Sequence, residues 1–561
     1  MKKLLKVISA VAALAIIASA FVGCGQSAQK RRDYDGTLTY WVHMDGNTQN
    51  AGLEDNSEMM LYKEMEKRTG VKINFIHPAG GSTGNEAATT MFLDEELPDI
   101  IEYGWESYPG GPEQAIEDGV IIALDDHIDL KTVCPGYWQY VGDDNPENEA
   151  RKKAVTTNDG KFYGFNILNI GSTKGFAGIF TRKDKLDEWG MKVPETIEDY
   201  EALFAKAKAE GFTKPLTSLI GYLSLIKGSS TVGFSTAFDV GSNFYVDDIN
   251  GKPEVVFTAN QPGHVEYVTL LKDWYKKGYI DPDFATVASD QINSNMVNDV
   301  SIVSIGYIGS SMGKILPAAK ARNANYELVA CPFPKNVNTG ADSEFQVCYN
   351  AATSTANAIT YQCGDYEAAA KWCDYVYTEE GMILQLFGIE GEHHTVQEYD
   401  FDGDGTPEKH YVYTDLIAKP ETSDCNTVAE AMYKYMLPCN FPGYNQHIDY
   451  LMGYYQEDCQ KDAIKIWNVP ASKDGTDADT DKIDTPQEHQ LPTLNYTKDE
   501  SAELNELKTV CESPLEATFV DVVMGKKSIE DYKAAIKTAN DNGYAKMLEI
   551  YNAAYQRYLA K

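Results

Sequence analysis

A chain of 561 residues, 43% of them hydrophobic, is long enough for two or three domains with large cores. Its formal net charge of −35 repels nucleic acid and anionic headgroups and favours neutral or cationic ligands. Beyond the N-terminus, no stretch approaches the roughly 20 apolar residues that a membrane-spanning helix needs.

The chain begins with Lys2, Lys3 and Lys6, then runs apolar from Val7 to Val22 and meets Gly23 and Cys24. A basic start followed by an apolar stretch is the layout of an export signal. A cysteine directly after Gly23 makes residues 1–23 resemble a bacterial lipoprotein signal peptide rather than a plain signal or a membrane anchor, which implies an acylated Cys24 thiol and a protein held on the extracellular face of the cell membrane. Phe21 stands where leucine is commoner in such signals. Residues 24–35 are polar and carry no apolar period, which reads as a short tether.

Folding is expected to start at Leu38, where a β-rich run reaches Val42. A helix over 57–68 stopped by Gly70, a strand over 71–76, a helix over 86–95 and a strand after Pro98 follow in turn. Alternation at this spacing predicts a parallel sheet covered by helices. A second such region opens near Gly175, with strands over 176–181, 254–258 and 301–307. Its helices run over 184–189, 196–210 (behind a Thr-x-x-Asp cap) and 263–277. Residues 365–377 and much of 427–467 and 500–558 read as helical, and 468–492 as an acidic surface loop. With Cys24 assigned to lipid, nine cysteines remain without C-x-x-C spacing. Most suit buried thiols; an odd number leaves at least one unpaired within the chain, and any disulfide pairing stays open.

Several phrases then occur in order: YKEMEKRTGV from Tyr62 to Val71, LPDII from Leu97 to Ile101, KFYGF from Lys161 to Phe165, TRKD from Thr181 to Asp184, and GMKVP from Gly190 to Pro194. WYKKGYIDP from Trp274 to Pro282, FGIEG from Phe387 to Gly391 and AYQRY from Ala554 to Tyr558 complete the series. Together they resemble the long extracellular solute-binding lipoproteins, family 1 carbohydrate type, that feed ABC importers in Gram-positive bacteria. The chain departs from that pattern in its cysteine load, in Gln556 where Asp is usual, and in an acidic insert after Gly391. The resemblance implies an α/β, two-lobed, type II periplasmic-binding-protein-like fold with a hinge of crossing strands and an extended helical C-terminal part. It further implies lobe 1 over 36–170, lobe 2 over 171–330, and crossover segments with a shared helical remainder over 331–561. A monomer that delivers its ligand to ABC permease subunits, without catalysis, follows from the same resemblance.

Sugars present apolar faces and hydroxyl rims, so aromatic rings beside carboxylates and amides at strand carboxyl ends are the candidates for contact. Trp41 and Asp45 end the first strand, Tyr103, Trp105 and Glu106 follow the third, and Phe165 and Asn166 sit at the expected crossover. Tyr307 ends a strand of the second region, and Glu390 and His393 lie in or after the Gly-Ile-Glu-Gly turn. Each position equally suits core packing or a surface polar group, whereas helical spacing assigns Trp274 and Trp372 to core. Peptide ligands remain open beside sugars.

Two other motifs compete for attention. Gly80-Gly81-Ser82-Thr83-Gly84 has the Gly-x-Ser-x-Gly form of a hydrolase elbow, making a surface-attached serine hydrolase acting through Ser82 an alternative, with an adhesion lipoprotein a third reading. Pro78 breaks the strand before it, and no partner Asp and His segments stand out. Residues 400–408 place Asp400, Asp402, Asp404 and Glu408 at loop positions one, three, five and nine, with Gly405 at six. Convergent hard carboxylates of this spacing are expected to hold calcium as a structural ion, although Tyr411 occupies the closing position of an EF-hand.

Overall fold

The computed structural model describes residues 31–78, 84–170, 175–227, 233–343, 345, 350–399, 406–455, 457–467 and 489–561. Cys24, Ser82, Asp400, Asp402, Asp404 and most of the expected 468–492 loop lie outside the described residues.

Strands β1 (Thr37–Trp41), β2 (Lys72–Ile76), β3 (Ile100–Gly104) and β4 (Phe165–Asn169) come first in the chain. β5 (Ala177–Arg182), β6 (Leu216–Thr217), β7 (Phe244–Asp248), β8 (Pro253–Phe257), β9 (Val303–Tyr307) and β10 (Leu328–Ala330) follow. β11 (Ala352–Ile359), β12 (His394–Tyr399), β13 (Glu408–Tyr413) and β14 (Gly443–Asn445) complete the set. Two sheets organise the fold: a six-stranded one in the order β14-β4-β11-β3-β1-β2 and a four-stranded one in the order β10-β5-β9-β6. β7 pairs with β8, and β12 with β13, as separate hairpins.

Local chemistry explains the elements that the sequence made legible. Gly70 and Gly278 take φ of 73° and 68°, which glycine adopts without steric cost, so each ends its helix, Met60–Thr69 and Pro262–Lys277. Thr196 and Asp199 exchange hydrogen bonds in a reciprocal cap that starts the helix Ile197–Ala209. The expected helix over 86–95 ends instead at Met91. The helical expectation over 427–467 resolves into helices Val428–Tyr435, Ile448–Tyr454 and Asp458–Trp467, with β14 between the first two.

Chain direction decides where a ligand can sit. β1, β2, β3, β4 and β14 all run parallel and β11 opposes them, so Trp41, Gly104, Asn169 and Asn445 end on one edge of the larger sheet. In the smaller sheet the carboxyl end of β9, Tyr307, pairs with the amino end of β5, Ala177. The chain passes between the sheets from β4 to β5, from β10 to β11, and again from β14 to the helix Asp458–Trp467. That helix ends with the Trp467 indole donating to Cys331 O at 2.8 Å.

Leu38, Ile100, Phe165 and Ile359 belong to one continuous core, and Ile179, Leu203, Val303 and Trp274 to a second that the C-terminal helices also cover. Trp274 and Trp372 are buried in these cores as their helical spacing predicts. Eight described cysteines are free thiols, and six of them are buried. None of the described helices is long and apolar enough to cross a membrane.

Candidate functional site

A cleft of about 430 Å³ receives residues from both sheets. From the larger sheet come Asp45 and Asn47, just beyond β1, with Asn440 and Gln446 flanking β14. From the smaller sheet come Phe176, Tyr307, Gly309 and Ser310. Tyr433, Tyr450 and Tyr454 line it from the helices Val428–Tyr435 and Ile448–Tyr454. Such a volume lies in the range of small-ligand pockets, about 300–1,000 Å³.

The two walls differ in chemistry. On the smaller sheet the Tyr307 ring stacks on Phe176, centroids 5.5 Å apart and planes 9° from parallel. Tyr222 meets Tyr307 edge-on at 6.4 Å, and Tyr307 is 38% exposed. The residues on the larger sheet's side mix polar groups (Asp45, Asn47, Asn440 and Gln446) with the rings of Tyr433, Tyr450 and Tyr454. Asp45 caps the helix Gly46–Asn50, its carboxylate accepting from Asn47 N at 2.7 Å and Asn47 Nδ2 at 3.0 Å. Asn440 and Gln446 both hold positive φ, 65° and 67°, a conformation that costs a non-glycine residue of order 1 kcal/mol or more. Asn445 secures this turn, accepting from Asn440 N at 2.9 Å and donating to Phe441 O at 3.1 Å. Backbone strain held by a buried amide, at the mouth of a cleft, is the kind found at ligand clamps.

Burial pushes the Tyr433 and Tyr450 phenols well above their ordinary range, so both are neutral hydrogen-bonding groups at physiological pH. Among the described residues that line the cleft, Asp45 is the one charged side chain. Ser310 lies there without a histidine beside it in the lining.

Of the residues expected from the sequence, Asp45 and Tyr307 line this cleft together. Glu106 is exposed at the same sheet edge, after Gly104. The structure places the others away from this cleft. Trp105 is fully buried, its indole donating to Ala356 O at 3.1 Å, and Trp41 and Tyr103 pack with it into a cluster with Met91 and Ile101. Short strands ending in aromatic residues present one face to helices, and these rings take that face. Phe165 is fully buried with its ring 5.1 Å from Tyr137. Asn166 is fully buried too: Nδ2 donates to Tyr163 OH and Thr353 O, and Oδ1 accepts from Tyr137 OH. It ties β4 to the start of β11, an internal strut at the crossover.

His393 is buried under the turn that the Gly388 backbone makes, with its ring 4.8 Å from Tyr435 and Nδ1 accepting from Ile389 N. Burial, the largest influence on it, lowers its pKa. Glu390 is exposed on that turn, outside the cleft lining. Phe176, Tyr222, Asn440, Gln446 and Tyr454 escaped sequence reasoning. Tyr222 and Phe176 carried a findable signal, an aromatic residue beside a strand end; the amides carried none.

Glu408 opens β13 directly opposite Tyr399, so the ends of the 400–407 loop are paired. Among the described residues no group of three or more His, Cys, Asp or Glu is placed to hold a metal ion.

Comparison with known proteins adds the following. A family profile described as bacterial extracellular solute-binding protein matches residues 50–383. The fructooligosaccharide ABC transporter substrate-binding protein FusA of Streptococcus pneumoniae is 27% identical over 245 residues, 41% of this chain. The match spans 43% of that relative's length, less than half. Among solved structures, an HMO-binding, ABC-transporter-associated solute-binding protein from Bifidobacterium longum infantis aligns with TM-score 0.70 at 17% identity, covering 93% of this chain and 99% of that one. FusA in complex with kestose gives 0.65 at 18%, covering 93% and 99%. The alginate-binding protein AlgQ2 without calcium gives 0.64 at 16%, covering 95% and 100%. These likenesses establish the two-lobed α/β fold.

Proposed function

The chain belongs to the bacterial extracellular solute-binding protein family, and from that premise we propose that it captures a neutral oligosaccharide between its lobes and passes it to an ABC permease. One observation carries the reading: a stacked aromatic pair, Tyr307 on Phe176, lines the same cleft as the polar side chains of Asp45, Asn440 and Gln446. A sugar's apolar face suits the ring, and its hydroxyls suit the amides and carboxylate. With Asp45 as the one charge among the described lining residues, the negative lining favours neutral sugars over uronates or phosphosugars. FusA and the Bifidobacterium protein are described as binding oligosaccharides, which supports the class.

Lobe 1 in this reading is 36–170 together with 350–455, and lobe 2 is 175–343 together with 457–467 and 498–561. Ligand contacts made with both walls drive closure, because only the closed state makes them at once. Acylation at Cys24 holds the monomer outside the cell. Asp400, Asp402, Asp404 and Glu408 would hold a structural calcium ion; the pairing of Tyr399 with Glu408 brings the last of these back beside the loop's start. The relatives offer nothing for a hydrolase acting through Ser82 or for an adhesion role.

Calorimetric titration tests the proposal. Kestose-type fructans and human-milk oligosaccharides are the neutral arm, alginate oligomers the anionic arm, and a tripeptide mixture the control. Micromolar or tighter binding confined to the neutral arm is expected. Binding of alginate or peptide alone would overturn it. Intrinsic tryptophan emission is a poor reporter, since no tryptophan lines the cleft.

A further inference from the structure

We propose that the polar arm following Cys24 is a strap fastened to lobe 1, so that the anchored lobe is lobe 1 and the lobe that swings is lobe 2. The anchoring half rests on acylation of Cys24; the fastening rests on geometry alone.

Composition predicts a free tether as far as residue 35, yet the arm is held from Arg31 onward. The Arg31 guanidinium donates to Cys363 O at 3.1 Å and Gly364 O at 2.9 Å, and lies 4.0 Å over the Tyr366 ring. Arg32 pairs with Asp99 at 2.7 Å, donates to Leu97 O, and its backbone N–H donates to Gln362 O at 3.0 Å. Asp99 is 4% exposed and already accepts from Thr39 N, Thr39 Oγ1 and Gly364 N. A buried carboxylate with those donors is a preformed seat for a guanidinium, and arginine is suited to it by its fixed fork of donors. Gly364 leaves room for the arm: a Cβ there would stand 3.3 Å from Arg32 O and from the Tyr34 backbone.

The position of the seat matters as much as its strength. Asp99 precedes β3 and Gln362 follows β11, so the seat lies at the amino edge of the larger sheet, opposite the edge that carries Asp45 and Gln446. The arm therefore leaves lobe 1 on the side away from the cleft. Six residues, 25–30, separate Cys24 from Arg31. Seven Cα steps of at most ~3.6 Å give a leash of about 25 Å, shorter than a free tether would allow. Lobe 1 is then confined near the membrane, and closure moves lobe 2.

Two measurements on the full chain test this. Hydrogen exchange on the Cys24→Ser released protein is expected to show the amides of 32–36 exchanging about tenfold slower than an unstructured segment, and the Arg31→Gln/Arg32→Gln variant to lose that protection without change elsewhere. Random-coil exchange of 32–36 in the parent would overturn the strap. The acylated chain is then bound to vesicles carrying a headgroup quencher, with one fluorophore at position 367 in lobe 1 or 549 in lobe 2. Stronger quenching at 367, lost in the double arginine variant, is expected; equal quenching in the parent would overturn the held-lobe assignment. A chain that never partitions onto vesicles would sink the acylation reading and the held-lobe half with it, leaving the exchange result to decide the strap.

Discussion

Gly309, in the turn after β9, approaches the ring of Tyr454 so closely that a Cβ at 309 would stand 3.0 Å from Tyr454 Cε1. One partner follows a strand of the smaller sheet; the other ends a helix that packs on β13 and leads out of β14. Their contact sets how near the two walls of the cleft come. Any β-branched side chain at 309 must displace the Tyr454 ring or hold the walls apart. Gly309→Val is therefore expected to weaken oligosaccharide binding by about tenfold, ~1.4 kcal/mol, with little change in melting temperature. Scattering should show the variant's radius shrinking less on ligand addition than the parent's. Unchanged affinity and unchanged closure would show that the turn is not a closing contact.

Tyr307 supplies the exposed ring of the stacked pair. An aromatic contact is worth about 0.5–1.5 kcal/mol beyond the area it buries, so Tyr307→Ala should cost tenfold or more in affinity. Tyr307→Phe, which keeps the face, should cost far less. Because the ring is 38% exposed, the stability loss should be small. Equal affinities for the alanine and phenylalanine variants, measured by calorimetry, would remove the ring from the site.

How far the sequence reached is visible in particular residues. The helix stops at Gly70 and Gly278 and the cap at Thr196 were readable because each acts through its own neighbours. β14, three residues long, was read as helix because its pairing partner β4 lies far away in sequence. Asp45 and Tyr307, chosen by the rule that ligands gather at strand carboxyl ends, both line the cleft. Trp105, chosen by the same rule, and Asn166, chosen for its place at the crossover, are both buried, since sequence position does not fix which way a side chain faces. Asn440 and Gln446 were invisible: the positive φ of each belongs to a turn, closed on the Asn440 side by Asn445, that matches no recognised sequence motif.

The carboxylate of Asp374 is a pH-dependent weakness in lobe 1. It accepts from Tyr137 N at 2.6 Å and Gly136 N at 3.3 Å, capping the helix Pro135–Val141, but it is 5% exposed and burial raises its pKa to about 6. A raised folded-state pKa means that the native chain holds this proton more tightly than the unfolded one. Its contribution to stability is thus greatest below about pH 4, falls as pH rises toward 6, and stays low above. Asp374→Asn keeps an acceptor for the cap and removes the charge. The variant should gain on the parent by roughly 2 kcal/mol between pH 4 and pH 7.5. Denaturant melts at the two pH values check this, and a difference independent of pH would refute it.

Calcium binding at residues 400–408 makes the last prediction. The sequence spaces three aspartates, Asp400, Asp402 and Asp404, at alternate positions ahead of Gly405, the spacing of a calcium loop in which carboxylates share a cation that offsets their mutual repulsion. The loop spans the ends of a hairpin whose terminal residues, Tyr399 and Glu408, are directly paired. A divalent ion would therefore stiffen a loop whose ends are already fixed, at little further ordering cost. Calcium suits such an oxygen set better than magnesium, which demands a tighter octahedron. An ion bound at 100 times its Kd stabilises the folded chain by ~2.7 kcal/mol, enough for a clear rise in melting temperature. Millimolar calcium should produce that rise and a calorimetric binding signal, magnesium much less of either. Asp402→Ala should abolish both while leaving oligosaccharide affinity within about threefold, because the loop's neighbour β12 lies outside the cleft lining. A parent protein that gives neither heat nor a melting shift with millimolar calcium would refute the site.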